Sequence, residues 1–261
     1  MKTLEELKQN IISRAENAFS DAVVFESLKE ALEVMETKSD LLKAITDHIF
    51  WKNSSAKFND GALLKIIKDY FTHDELDKAG IYTGGEIPIF VRKPCIACGD
   101  AMVSAHENAR VLAYGKAAVM ACDNVKVEAH GDVIVMAYES AKVAASDRAK
   151  VVWANDRATV EVYNSATVNV HDNAIVTAYD NATVYATDRA TVTAYDNATV
   201  TAYHRARVEV FGNARVMAYD DSYVEDHTGN VRPQSDHAIV RNRKNNWIYV
   251  KKGKFGIEEV D

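Results

Sequence analysis

The 261-residue chain is poor in the residues that break or staple a fold: it has three Pro, three Cys and eleven Gly. So little Pro and Gly excludes collagen-like and linker-like chains. Three cysteines are too few, and odd in number, for a disulfide framework, so a reducing, cytoplasmic location is expected. No apolar run approaches the ~18 residues of a membrane span. The opening MKTLEELKQN also lacks the apolar stretch of a secretory signal, so no membrane association is expected. Positive charge is short too. Lys and Arg number 31 against 38 Asp and Glu, a net charge of −7 that argues against binding nucleic acid by neutralising its phosphates. The least ordinary absence is leucine. Nine of the ten Leu precede residue 80, and between 101 and 228 Leu112 stands alone beside 22 Val.

The Leu-rich part reads as helices. Leu4, Leu7, Ile11 and Ile12 recur at helical spacing, with Ala15, Ala18 and Phe19 continuing the face. Val24, Leu28, Leu32 and Met35 make a second face. Ser39-Asp40 suits the N-cap of a third helix carrying Leu42, Ile45, Ile49 and Phe50. A fourth is expected near Gly61–Phe71, and Thr72-His73-Asp74-Glu75 has the spacing of a capping box. Residues 1–82 are therefore expected to form a small helical domain. His48 and His73 have no partner at helical spacing and read as surface or capping residues rather than metal ligands.

The Val-rich part is a repeat. From Arg157 the chain reads RATVEVYN, SATVNVHD, NAIVTAYD, NATVYATD, RATVTAYD, NATVTAYH, RARVEVFG and NARVMAYD. The same frame runs backwards to residue 101, with one extra residue near Val152-Trp153-Ala154 that a β-bulge would absorb. In A-T-V-T-A the first, third and fifth positions are small and apolar, which is the period-2 alternation of a strand with one buried face. Asp-Asn, Asp-Arg, Gly-Asn and Asp-Ser supply the turns. A strand and a turn every eight residues cannot bury that face alone, but stacked units can. The expected fold class is α+β: a helical domain, then a β-solenoid over 101–228.

Two units per coil stack residues sixteen apart at about 4.8 Å. Tyr163, Tyr179, Tyr195 and Phe211 then share a column, as do Asn181, Asn197 and Asn213, whereas a 24-residue triangular coil mixes these types. Small interior residues require two closely facing sheets. Open solenoid ends need covering. A lead-in strand over 83–100 (EIPIFVRKPCIA) and closing strands over 229–261 (HAIVRN, NWIYVKKGKFGIEEV) are the candidates.

Candidate chemistry is sparse. Cys95 and Cys98 form a CxxC, and His106 and Cys122 stack one coil apart. Cys98 and Cys122 belong to opposite sheets of a 16-residue coil, so no metal site is expected. No GxSxG, HExxH, P-loop or GxGxxG occurs, so neither an enzyme nor a cofactor is expected. The turn-proximal aromatics Tyr163, Tyr179, Tyr195, Phe211, Tyr203 and Tyr219 are the candidate partner-binding residues, because Tyr offers large contact area at low entropy cost. The same stacking would also stabilise the sheet itself. Thr191-Val-Thr193 and Thr199-Val-Thr201 have the spacing of an ice-binding array, interrupted by neighbouring units. Asp172, Asp180, Asp188, Asp196 and Asp220 could imitate nucleic-acid phosphates, although Arg148, Arg157, Arg189 and Arg205 interleave with them.

The run RATVTAYD/NATVTAYH resembles the "AYDSATV"-type octapeptide-repeat β-solenoid proteins of gut bacteria and their phages and prophages. A more distant likeness is to the sixteen-residue repeats of ice-nucleation proteins. The resemblance implies architecture and a phage or prophage association, and it carries over no functional residue. The function expected is a non-enzymatic scaffold presenting a rigid repeat surface to a protein or glycan. A nucleic-acid-mimicking inhibitor of a host factor and an ice-binding surface are the alternatives. A homo-oligomer could form through the apolar faces of the helical domain.

Overall fold

The computed structural model describes residues 3–16, 26, 29–30, 32–43, 70–85, 89–235 and 237–251. It is a β-solenoid of sixteen-residue coils carrying a helical head. Up to β19, even-numbered and odd-numbered strands form two separate sheets. Sheet A holds twelve strands in the order β1-β3-β5 through β19-β20-β21, and sheet B nine, from β2 to β18. Strand β1 is Ile81–Tyr82, β2 Ile89–Val91 and β3 Cys95–Ala97, and β4 (Met102–Ala105) to β19 (Tyr223–Asp226) follow at the repeat spacing. The two-unit coil is therefore the real one. Val160 pairs with Val176 and Val176 with Val192, each in parallel register. The segment expected as a single lead-in strand is two, β2 and β3, which belong to different sheets. They are separated by Arg92-Lys93-Pro94, where proline removes a ladder donor. The first strand, β1, lies within the stretch read as wholly helical.

Each coil buries three small side chains per strand. Ala158, Val160 and Val162 are fully buried, and so are their equivalents in coil after coil. Ala and Val fit between sheets set this close, and the β-branch of Val favours the extended backbone. The turns are made where the chain adopts φ near +55°, as at Asp172 (55°), Asp180 (54°) and Asp196 (54°). Asp, Asn and Gly tolerate that conformation best. At Gly212 (φ +63°) a Cβ would come within 3.1 Å of the Asp196 amide one coil below, so the absent side chain also provides the clearance.

These turns carry a second device. The Glu107 amide donates to the Asp123 carboxylate one coil on (2.8 Å), Asp123 to Glu139 (2.8 Å) and Glu139 to Asp156 (3.0 Å). Asp156 donates to Asp172 and Asp172 to Asp188 in the same sense. Stacked carboxylates about 5 Å apart repel by under about 1 kcal/mol each in a watery setting. A hydrogen bond to an ionised acceptor contributes about 1.5 kcal/mol or more. The bonds win. The inter-coil side-chain ladder is thus made by acids, and the Asn181, Asn197 and Asn213 column lies beside it, exposed at the turn.

The extra residue sits in β10 (Lys150–Ala154). Val151 pairs with Val135, but Trp153 pairs with Met136, so the register shifts by one residue. Val151 and Ala154 stay inside, and both Val152 and Trp153 face out.

The head caps its helices three times in the same way. Helix α1 (Leu4–Glu16) begins with Thr3 accepting from the Glu6 amide while Glu6 accepts from Thr3. Thr37 accepts from the Asp40 amide and residues 38–43 are helical, so the cap expected at Ser39-Asp40 lies two residues earlier. Thr72 and Glu75 make the expected capping box ahead of α2 (His73–Lys78). His73 contacts the Thr83 hydroxyl at 3.0 Å, in keeping with a surface role. The expected positions Ala18, Phe19, Val24, Leu28, Ile45, His48, Ile49 and Phe50, and the helix expected from Gly61 up to residue 69, lie outside the described residues. Leu7, Ile11, Leu32, Leu41, Leu42, Phe71 and Leu76 form one buried cluster with Ile81, Ile96, Cys98, Leu112 and Tyr114 of the first coils. The head therefore packs on the outer face of sheet A. That accounts for the lone leucine of the solenoid and for the described leucines of the head without a partner copy.

The far end closes by exchanging core for polar residues. Asp226, in the inward column of Ala194 and Val210, is fully buried and accepts from the amides of Thr228, Gly229 and Val231 and from the Thr228 hydroxyl. Asn242, next in that column, accepts from the amides of Lys244 and Asn245. Strands β20 (Ile239–Asn242) and β21 (Trp247–Val250) then pair antiparallel, as closing strands should. Residues 252–261, including Lys252 and Lys254, lie outside the described residues.

Candidate interaction surface

On sheet B, strand register brings Phe90, Ser104, Met120, Met136 and Trp153 into one outward column. The column beside it holds Met102, Ala118, Ile134 and Lys150. Phe90 is 75% exposed and Trp153 48%, and Met102 and Ile134 are exposed as well, whereas Ser104, between Phe90 and Met120, is buried. One charge, Lys150, stands among these nine side chains. Beyond the bulge the face turns polar, with Thr167, Asn169 and Thr183, before Tyr185 and Met217. Large apolar groups on water are ordinary one at a time, but a contiguous group of them marks a contact site.

Sheet A carries ion pairs along its outer face, with exposed Trp247 and Ile248 at its closing edge. Arg110 donates to Glu128 at 2.6 Å, and Arg243 donates twice to Glu225 at 2.6 and 2.9 Å. A shallow depression there is lined by Thr191, Thr193, Arg205, Arg207, Glu209 and Tyr223. Glu209 and Glu225, both lining it, and His227 bring ligand-type atoms within 4.8 Å of one another, a trio that motif reading misses because Glu209 lies a coil from the other two. Aligning outward positions at sixteen-residue spacing would have found it. Arg243 and the Tyr223 hydroxyl already occupy Glu225, while His227 meets Glu209 at 3.1 Å, so both carboxylates of the trio already have partners.

The six aromatic candidates do not form one surface. Tyr163, Tyr179, Tyr195 and Phe211 stack along one edge at 5.0, 5.3 and 5.1 Å between ring centroids, and His227 extends the ladder at 4.4 Å. Tyr203 and Tyr219 stack at 5.1 Å on the other edge, after strands of sheet B. Tyr179, Tyr195 and Phe211 thus have a ring on both sides, whereas Tyr163, Tyr203 and Tyr219 each stack on one ring and Tyr203 is exposed. Burial pushes the Tyr163 phenol well above its ordinary range, helped by its hydrogen bond to Glu161 at 2.6 Å. Tyr179 is raised for the same first reason.

The cysteines do not converge either. Cys95 points into the solenoid core, where burial pushes its thiol up to about 12. Cys98 is buried under the head, and Cys122 is partly exposed at the turn after a sheet B strand. The T-x-T motifs Thr191–Thr193 and Thr199–Thr201 lie in consecutive strands and so on opposite sheets. The acids divide likewise: Asp180 and Asp196 follow sheet A strands, and Asp172, Asp188 and Asp220 follow sheet B strands. Arg148 pairs with Asp132 at 2.7 Å.

The chain matches no protein-family model, no curated protein and no solved structure. Among the described residues no helix is long and apolar enough to cross a membrane.

Proposed function

We propose that the protein is a non-enzymatic scaffold whose outer sheet B face, centred on Trp153, docks a protein partner. The observation that carries this is the bulge. A repeat otherwise regular to the residue admits one extra position, and its effect is to turn Trp153 out among Met120, Ile134 and Met136. Bulges re-aim side chains at the cost of ladder bonds, so a function is the natural reason to keep one. A packed sheet holds these side chains in place, which lowers the ordering cost of association. Methionine adapts to a partner's contour and tryptophan anchors it. A protein fits this face better than a glycan, which needs polar side chains around the aromatic ring, and better than nucleic acid, since Lys150 is the one cation present. The phage or prophage setting rests on the repeat resemblance alone.

The test is capture from the native host with wild type, Met136→Lys and Thr183→Lys. One protein recovered in stoichiometric amount by wild type and Thr183→Lys, and lost with Met136→Lys, is the expected result. Retention by Met136→Lys would move the site elsewhere.

The acidic edge favours mimicry less. Its carboxylates recur about every 4.8 Å along the solenoid, against roughly one charge per 1.7 Å of DNA axis. They also already serve as acceptors for backbone amides. Ice binding needs adjoining threonine ranks, and the two T-x-T motifs face opposite ways.

A further inference from the structure

Lys38, Lys78 and Lys93 come from three separate segments of an acidic chain and open onto one cleft of about 560 Å³. The cleft lies where the head meets the first coils. Residues 38–43 form one wall, Phe71 to Ala79 the second, and Lys93-Pro94, between β2 and β3, the third. Ala79 and Pro94 give it an apolar floor above Leu42 and Phe71, which are themselves buried, and Ser39 and Lys43 complete the rim. Gly80 lets the walls close: at φ +75°, a Cβ there would sit 3.3 Å from the Pro94 carbonyl oxygen.

The cations are arranged unequally. Lys38 is held in place, donating to Glu75 at 2.9 Å and standing 5.1 Å over the Phe71 ring. Lys78 and Lys93 have no carboxylate partner among the described residues. Glu75, the one acid lining the cleft among the described residues, is therefore committed, and its carboxyl is held below the usual range by that bond from Lys38. Ammonium groups around an apolar floor form a field that a dianion relieves, and lysine is a point charge suited to phosphate. The volume falls within the roughly 300–1,000 Å³ of small-molecule sites.

We propose that this cleft binds a small organic phosphate, a phosphomonoester or diphosphate carried on an aromatic or other apolar body. The phosphate meets Lys78 and Lys93, and the apolar body lies against Ala79 and Pro94. Because the walls come from both head and solenoid, the ligand links the two. The site is independent of the sheet B face.

The test is calorimetric titration of the full-length chain at low salt with three probes: 1-naphthyl phosphate, 1-naphthol and inorganic phosphate. Naphthyl phosphate is expected to bind at least about tenfold more tightly than either fragment, and to weaken as salt screens the lysines. Lys78→Glu/Lys93→Glu changes only exposed side chains and should cut that affinity at least about tenfold. Lys93→Gln should give an intermediate loss, and Lys126→Glu/Lys142→Glu, on the outer face of sheet A, none. No heat from naphthyl phosphate at millimolar concentration would overturn the proposal. So would equal affinity in the Lys78→Glu/Lys93→Glu protein, or naphthol binding as tightly as its phosphate.

Discussion

Leu112 lies directly opposite Ile96 in the parallel register of sheet A, and both outward side chains are fully buried beneath the head. Ile81 precedes them in the same column and is buried with them, and beyond Leu112 that column carries Glu128, Ala144, Glu161, Thr177 and Thr193. The head is thus docked on a two-coil apolar footprint rather than fused into the solenoid core. Leu112→Ala should cost about 3 kcal/mol of docking, the usual range for a large-to-small change in a packed site. Hydrogen exchange should show protection lost around Leu41 and Leu76 and kept at Val176 and Val192. Uniform loss along the chain would mean that head and solenoid unfold as one.

Deleting Trp153 restores an uninterrupted sixteen-residue register through β10. Stability should hold or rise, because the broken ladder bonds re-form. Partner capture should vanish. A variant that loses its thermal midpoint instead would show that the bulge is structural.

The ladder of rings predicts unequal costs for similar residues. Tyr179→Ala removes two stacks, with Tyr163 and Tyr195, and should lose about 1–3 kcal/mol in denaturant unfolding. Tyr185→Ala, at an exposed outward position of sheet B, should stay within about 0.5 kcal/mol of wild type. Equal losses would remove stacking as the explanation.

Asp226 sets the acid limit of the closing end. Burial raises its carboxyl, but the hydrogen bonds from Thr228, Val231 and Gly229 outweigh it, and its pKa lies below the ordinary value. A depressed pKa gives stability that is present above the unfolded value near 4 and lost as pH falls through the folded one. Fraying at β20 should therefore begin below about pH 4. Asp226→Asn, which turns an amide toward the Val231 N–H, should cost about 2 kcal/mol at neutral pH and flatten that acid response. Unfolding curves from pH 2 to 7 would show whether the two proteins converge at low pH.

Cys95 sets the alkaline response of the opposite end. Its folded pKa, about 12, is raised by burial, so the associated stability is full below the unfolded value and is lost as pH rises toward 12. At pH 8 iodoacetamide should modify Cys122 and leave Cys95 intact, which peptide mass spectrometry reads directly. Alkylation of Cys95 in the folded protein would contradict its place in the core.

Architecture was legible because the repeat writes its period twice, once in inward Ala and Val and once in turn Asp and Asn. Even the extra residue at Val152–Trp153 announced its bulge. The candidate surface was not legible, for a physical reason. Phe90, Met120, Met136 and Trp153 are scattered over four coils, and their adjacency exists only once the register is known. The turn tyrosines were visible as a column, but a column alone does not reveal that its members cover one another. The carboxylate ladder was hidden by chemistry rather than geometry, since turn acids look solvated until an amide is found beneath each. Leu112 was noticed as an exception, and its meaning required the head.

The repeated register also fixes a unit of length. Each coil adds about 4.8 Å between the docked head and the Asp226 plug, whatever its outward residues are. Duplicating or losing sixteen codons would change the span by one such step and leave both ends chemically intact. The seventeen-residue coil at Trp153 is the one graduation that such an exchange could not reproduce, so it marks a fixed point on a scale whose total length is free to vary.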